Sequence, residues 1–226
     1  MEEEKEREIV LPGQIIGTGT YKPSKGAFKV GNNIYASVLG VPVIKRDCIG
    51  VRALFGTYIP NVGDTVIGYV KDVHFSNWII DINSAYLAVL QLSDATRNRI
   101  DPLRYNIRRI FDVGDALIGT VIAVTRTMQS NITTIGKGLG KITSGRVVEI
   151  EPTKVPRVIG RKGSMIRMIK EKTACKILVG QNGRVWIDGK PEMQEIVVKA
   201  LRKIEREAHT TGLTNEISNL LKEEIE

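Results

Sequence analysis

The chain has 226 residues, 42% of them apolar, with 33 Lys and Arg against 25 Asp and Glu and a formal net charge of +8. That apolar share supports packed cores in two or three small domains and argues against wholesale disorder. No run of about 18 apolar residues exists, Met1–Glu8 is acidic without an apolar stretch, and Cys48 and Cys175 stand far apart. We therefore expect a cytoplasmic protein without a membrane span, an export signal or a disulfide framework.

Residues 1–58 read as a small N-terminal β domain. Leu11-Pro12-Gly13 opens it, and Asn32-Asn33 is a candidate turn between runs at Ala27–Val30 and Ile34–Val38. It holds no cluster of titratable groups and is small for independent stability, so docking on a larger body is expected.

Residues 59–145 carry an internal echo. Val62-Gly63-Asp64-Thr65-Val66-Ile67-Gly68-Tyr69-Val70 returns as Val113-Gly114-Asp115-Ala116-Leu117-Ile118-Gly119-Thr120-Val121, 51 residues on. Each copy is a Gly-Asp turn followed by an apolar run with an interior glycine, which suits a strand that coils at the corner of a small barrel. The spacing predicts two strands of one barrel. Thr65–His74, Trp78–Ile82, Ala85–Leu90, Ala116–Thr125 and a stretch near Lys141–Ile150 make five predicted strands. An insert at Ser93–Phe111, interrupted by Asp101-Pro102 and rich in Arg, joins the third to the fourth. Five short strands with a connection there describe an OB-type barrel, a fold that binds oligonucleotides on one face and through its loops.

From residue 146 the pattern becomes mixed. A strand at Arg146–Ile150, a proline-started turn at Pro156–Ile159, a helix at Ser164–Thr173, and a hairpin of Lys176–Val179 and Arg184–Ile187 around Gln181-Asn182-Gly183 come first. A long amphipathic helix at Pro191–Ala208 completes a β-α-α-β-β-α order over residues 146–208. This segment holds 15 Lys and Arg against 8 Asp and Glu, so the positive excess is concentrated in it. Residues 209–226 are acidic and read either as a short helix or as a tail.

Between the two short helices lies Gly160-Arg161-Lys162-Gly163. Glycine tolerates the unusual φ of a tight turn and lets a sugar-phosphate backbone approach where there is no Cβ. The helix starting at Ser164 offers free N–H groups and partial positive charge, while Arg161 and Lys162 add cations. A G-x-x-G loop in this context matches the KH fold, which clamps about four nucleotides of single-stranded nucleic acid. Arg157, Ile159, Gly160, Arg161, Lys162, Gly163, Ser164 and Ile166 are the candidate contacts; Ile159 and Ile166 are equally candidates for the core. On the barrel the candidates are Lys71, His74, Phe75, Trp78, Arg97, Arg99 and Arg126, with Phe75 or Trp78 able to stack on bases or to fill the barrel. Two His and two Cys without ligand spacing offer no zinc site, the glycine-rich stretches lack the spacing of a nucleotide loop, and the aspartates are scattered. No catalytic residue, metal or cofactor is expected.

Taken together, Val10-Leu11-Pro12-Gly13, Ile34-Tyr35-Ala36-Ser37-Val38, Tyr58-Ile59-Pro60-Asn61-Val62-Gly63-Asp64, Trp78-Ile79-Ile80-Asp81-Ile82-Asn83 and Val155-Pro156-Arg157-Val158-Ile159-Gly160-Arg161-Lys162-Gly163 occur in that order. In these the chain resembles the RNA-binding cap subunits of the archaeal exosome of the Rrp-four type, over roughly residues 8–208. The resemblance implies an N-terminal domain, an S1 barrel and a type I KH domain. It also implies three caps on a ring of RNase PH-like subunits, feeding single-stranded RNA 3′ ends into the pore for 3′-to-5′ degradation. Residues 1–58 would dock on that ring. Two other readings are a free-standing S1–KH regulator of translation or mRNA stability, and a phosphorolytic nuclease, against which the lack of a catalytic cluster weighs.

Overall fold

The computed structural model describes residues 9–98, 100–101, 103–208, 210 and 212–224, and the chain divides into two compact units, Met1–Gly56 and Thr57–Glu226. Arg99 and Pro102 of the insert lie outside the described residues.

The first unit contains strands β1 (Ile15–Thr18), β2 (Lys22–Pro23), β3 (Ala27–Val30), β4 (Asn33–Ala36), β5 (Gly40–Lys45) and β6 (Cys48–Ala53). They form two three-stranded sheets, in the orders β1-β4-β3 and β2-β6-β5. Val10, Ala36 and Val51 make its buried cluster, with Ile16 and Val38 packed against it. A Cβ on Gly40 would sit 2.1 Å from the Arg52 carbonyl oxygen, so the β5–β6 pair closes only around glycine. The β3–β4 turn is Gly31-Asn32, one residue ahead of the expected Asn32-Asn33, because Gly31 takes the left-handed φ of 60° and Asn33 already pairs with Val30.

The second unit begins with a barrel of β7 (Thr65–Val73), β8 (Asn77–Asp81), β9 (Ala88–Gln91), β10 (Ala116–Val124), β11 (Ser130–Thr133) and β12 (Gly140–Lys141), with helix α1 (Leu92–Ala95) after β9. The order β11-β9-β8-β7-β10 closes through β11–β10, and β12 adds to β10 outside the ring. The expected fifth strand near Lys141–Ile150 is therefore corrected to Ser130–Thr133. Its sequence, Ser-Asn-Ile-Thr, carries one apolar side chain and no alternation of its own. Parallel pairing with β9 and antiparallel pairing with β10 make it a strand.

The echo appears in three dimensions as the antiparallel pair β7–β10, with Gly68 opposite Leu117 and Gly119 opposite Val66. Its two halves exchange equivalent bonds. Gly63 N donates to Val121 O at 2.8 Å and Val121 N to Asp64 O at 2.9 Å, while Gly114 N donates to Val70 O and Val70 N to Asp115 O, both at 2.9 Å. Both strands bulge at the same point, Lys71 and Ile122. The aspartates hold equivalent turns, Asp64 accepting from Asn61 N and Asp115 from Asp112 N. Burial, then the hydrogen bond donated to Asp64, pushes the Tyr58 hydroxyl well above the usual tyrosine range. A Cβ on Gly68 would lie 2.3 Å from Ile80 Cγ2, which is why the strand carries glycine at this corner.

The remainder follows the β-α-α-β-β-α order: β13 (Arg146–Glu149), α2 (Val155–Ile159), α3 (Ser164–Thr173), β14 (Lys176–Val179), β15 (Arg184–Asp188) and α4 (Pro191–Arg206). The sheet order is β13-β15-β14. The C-terminal segment resolves to helix α5 (Leu213–Glu223), whose Leu213, Ile217 and Leu221 join the same core as α3 and α4. Lys172 Nζ donates to Ser218 O and Oγ, both at 2.8 Å, and Lys199 pairs with Glu224.

Within this second unit the β14–β15 turn enters the barrel wall. Asn-Gly forms the expected turn, yet Asn182 is fully buried rather than solvated. Its Nδ2 donates to Ile67 O at 2.7 Å and Ile82 O at 2.9 Å, its Oδ1 accepts from Ile67 N at 3.3 Å, and Gln181 N donates to Thr65 O at 2.8 Å. Arg184, 5% exposed at its side chain, bonds Asp81 Oδ2 at 2.7 Å and Glu149 Oε1 at 2.8 Å, and its guanidinium lies 4.8 Å from the Tyr69 ring centre. Burial raises the Asp81 carboxyl, but the Arg184 hydrogen bond and then the Asn83 N–H outweigh it, and the net shift is downward. A depressed folded-state value contributes stability that is complete above the ordinary aspartate range and lost as pH falls through it, below about pH 4. Thermal midpoints of the parent should therefore fall between pH 6 and pH 3 more steeply than those of Asp81→Asn; parallel curves would remove this group from the acid response.

Candidate nucleic-acid interface

Helix α2 stops because Gly160 leaves helical space at φ 76° and ψ 175°, with its N–H still donating to Pro156 O at 3.0 Å. Lys162 and Gly163 follow at φ 51° and 77°, and α3 starts at Ser164. The two glycines serve different ends. A Cβ on Gly160 would meet Met165 N at 2.8 Å, whereas Gly163 faces open space and is constrained by φ alone. The outcome is a turn open at Gly163, directly ahead of the N-terminus of a ten-residue helix that no side chain caps and whose first N–H, on Ser164, donates back to Arg161 O.

Arg161, Lys162 and Ser164 are exposed, and neither cation forms an ion pair among the described residues. Ile159 and Ile166 are half-buried beside the loop and pack on the core cluster, so each serves packing and keeps part of its surface free. Arg157 is exposed, and its Nη2 donates to the Thr210 carbonyl, which pins the chain leading into α5.

On the barrel, a cleft of about 550 Å³ opens beside His74 and Phe75. Its apolar part is Ile79 and Val89, which pair across β8–β9, and its polar part is the amides Asn77, Gln91, Gln129 and Asn131. Asn77 stands opposite Gln91, and Asn131 opposite Val89, so the lining is one outward face of β8, β9 and β11. The side-chain oxygens Asn77 Oδ1 and Ser130 Oγ are buried and find no hydrogen-bond partner among the described residues. Sequence reading missed these amides. The usable signal was parity: with Trp78, Ile80 and Leu90 inward, Asn77, Ile79 and Gln91 must point out.

Trp78 is corrected from a stacking candidate to a core residue. It is 0% exposed, donates from Nε1 to Phe111 O at 2.8 Å, and meets the Phe111 ring edge-on at 5.6 Å. Phe75, 63% exposed, is the aromatic left at the rim, next to the exposed His74. Lys71, Arg97 and Arg126 are exposed but do not line the cleft. Lys71, on the β7 bulge, contributes instead to the field that lowers Asp81, and Arg126 sits one residue beyond the lining Thr125. The expectation for Arg99 lies outside the described residues.

Three family profiles match in chain order: the exosome RNA binding protein RRP4 N-terminal domain over residues 7–52, the RRP4 S1 domain over 57–123, and a KH domain over 145–193. A protein of Pyrococcus horikoshii named exosome complex component Rrp4 is 47% identical over 218 residues, 95% of this chain and 82% of its own length. The chain belongs to the Rrp4 family of exosome complex components. The likeness also holds end to end: the Rrp4 of Methanothermus fervidus is 44% identical over 98% of both chains. A crystal structure described as that of an exosome complex RNA-binding protein superposes with a TM-score of 0.71 at 42% identity, covering 75% of this chain and 98% of that one. As an Rrp4-family chain, it carries a KH fold at residues 146–206 and a closed S1 barrel, and among its described residues no helix is long and apolar enough to cross a membrane.

Proposed function

We propose that this chain is a non-catalytic RNA-binding subunit of an exosome. In this reading it caps a ring of RNase PH-like subunits, three copies to a ring, and guides single-stranded 3′ ends into the pore for degradation in the cytoplasm. The observation that carries the RNA reading is the loop 160–163, where two exposed cations, without an ion pair among the described residues, and open space at Gly163 stand ahead of a helix start. Phosphates bound there would be held by N–H groups and mobile charge, with little demand on base identity. The barrel cleft supplies the complementary chemistry, an aromatic rim and amide donors and acceptors for bases.

For the ring, the support is an exposed apolar strip on the first unit. Ile15 and Phe28 both pair with Tyr35, the Phe28 and Tyr35 rings stack at 5.7 Å, and Val30 continues the strip on β3. Ile15, Phe28 and Val30 are 52%, 44% and 58% exposed and share one face of the sheet, the kind of contiguous apolar surface that a partner would cover.

The test mixes the purified chain with RNase PH-like ring subunits and RNA. The chain alone should bind single-stranded RNA without shortening it in phosphate, and should co-elute with the ring. Phosphate-dependent shortening by the chain alone would make it a nuclease, and RNA binding without ring association would leave a free-standing S1–KH protein. Phe28→Glu should weaken ring association at least tenfold, the scale of losing one buried aromatic anchor, and leave RNA affinity unchanged.

A further inference from the structure

Phe75 has a recess on each side. One is the barrel cleft; the other, about 190 Å³, lies between the β7–β8 turn and the insert and is lined by Val73, His74, Phe75, Tyr105, Asn106 and Arg108 above the buried Ile107. Tyr105 is 38% exposed, and no hydrogen bond engages its hydroxyl among the described residues. Among the described residues Asn106 uses only its Oδ1, accepting from Arg108 N at 3.1 Å, and its Nδ2 is left to donate to a ligand. Arg108 pairs with Asp112 at 2.9 Å on the surface, which places its guanidinium beside the recess.

Resting on the RNA reading above, we infer that this recess is a second nucleotide subsite. Phe75 wedges between two consecutive bases: one enters the barrel cleft, and the next is stacked against Tyr105, with Asn106 Nδ2 donating to an acceptor on its edge and Arg108 facing its phosphate. The chemistry selects an unpaired nucleotide. Two aromatic side chains line a space smaller than the roughly 300–1,000 Å³ of pockets for small-molecule ligands, which suits one planar ring system, and the Arg108 cation lies beside it. A protein partner would ask for a flatter and more continuous apolar surface than a recess carrying an amide donor and an arginine. The insert thereby has a task that the count of its arginines does not reveal: it supplies an aromatic wall.

The experiment uses the full chain and single-stranded RNA carrying 2-aminopurine at successive positions, with affinity and fluorescence quenching measured at fixed salt. Loss of one stacked base corresponds to about a 5- to 150-fold drop in affinity. Tyr105→Ala should show a loss in that range, lose the quenching at one position only, and keep the parent's salt slope and thermal midpoint. Tyr105→Phe should restore both affinity and quenching. A parent that binds RNA, with Tyr105→Ala binding equally well, overturns the subsite and leaves the RNA reading intact. A parent that binds no single-stranded RNA overturns both. Unchanged RNA affinity with lost ring association would assign Tyr105 to protein docking and overturn the subsite.

Discussion

With Arg161 and Lys162 both replaced by Asp, the chain should bind single-stranded RNA about 10- to 100-fold more weakly near physiological salt, while its thermal midpoint stays within a degree or two of the parent. Each cation that leaves a phosphate removes about 0.7 from the slope of log affinity against log salt for a single strand. The double variant should therefore show a slope shallower by about 1.4, and the two added carboxylates repel the strand as well. Stability is spared because both side chains are exposed and form no ion pair among the described residues, so no buried partner loses its bond. Position 162 sits at φ 51°, a conformation that Asp adopts more readily than Lys, and this too protects the fold. Fluorescence anisotropy over a salt series measures affinity and slope together. Equal slopes in parent and variant would mean that the strand does not pass over this loop.

Arg184→Ala should destabilise the second unit by about 3 kcal/mol, the low end of the range for removing one member of a buried ion pair. The low end applies because the Asp81 and Glu149 side chains are 37% and 57% exposed and regain water when the guanidinium goes. What water recovers less well is the Asp81 carbonyl, which accepts from Arg184 Nη1 at 2.7 Å. The protein contains its own probes for the consequence. Of its two tryptophans, Trp78 lies in the barrel core and Trp186 on β15, where it donates to Ser144 O at 2.8 Å. In urea, Trp78→Phe and Trp186→Phe chains, each reporting from one half, should give a single shared transition in the parent background and two separated ones once Arg184 is Ala. A shared transition in that variant would show that the junction holds through Asn182 and the Gln181 N–Thr65 O bond without Arg184.

The repeated Gly-Asp run made the β7–β10 pairing legible because both halves of the motif obey the same turn chemistry, down to Asp64 and Asp115. The G-x-x-G loop was legible for a related reason: left-handed backbone needs glycine, and glycine is visible in a sequence. The junction was not. Asn182-Gly183 forms the turn that its letters predict, but a turn's letters are the same whether it meets water or a barrel, and the partners of Asn182 stand 100 and 115 residues away. Trp78 was ambiguous for the opposite reason, since an aromatic near a strand start suits both a core and a stacking face until Phe111 is seen against it. Strand β11 was hidden by its polar composition, which only pairing on both edges explains.

Domains that can be transplanted present a finished surface at the point of severance. Here neither half would have one. Cut from the KH fold, the barrel would expose the Ile67 and Ile82 carbonyls now capped by Asn182; cut from the barrel, the KH hairpin would expose an arginine stripped of the Asp81 carboxylate. Swapping either half for that of another protein would thus require rebuilding both sides of the seam at once, and a chain shortened to one half should misbehave even though its own secondary structure is complete.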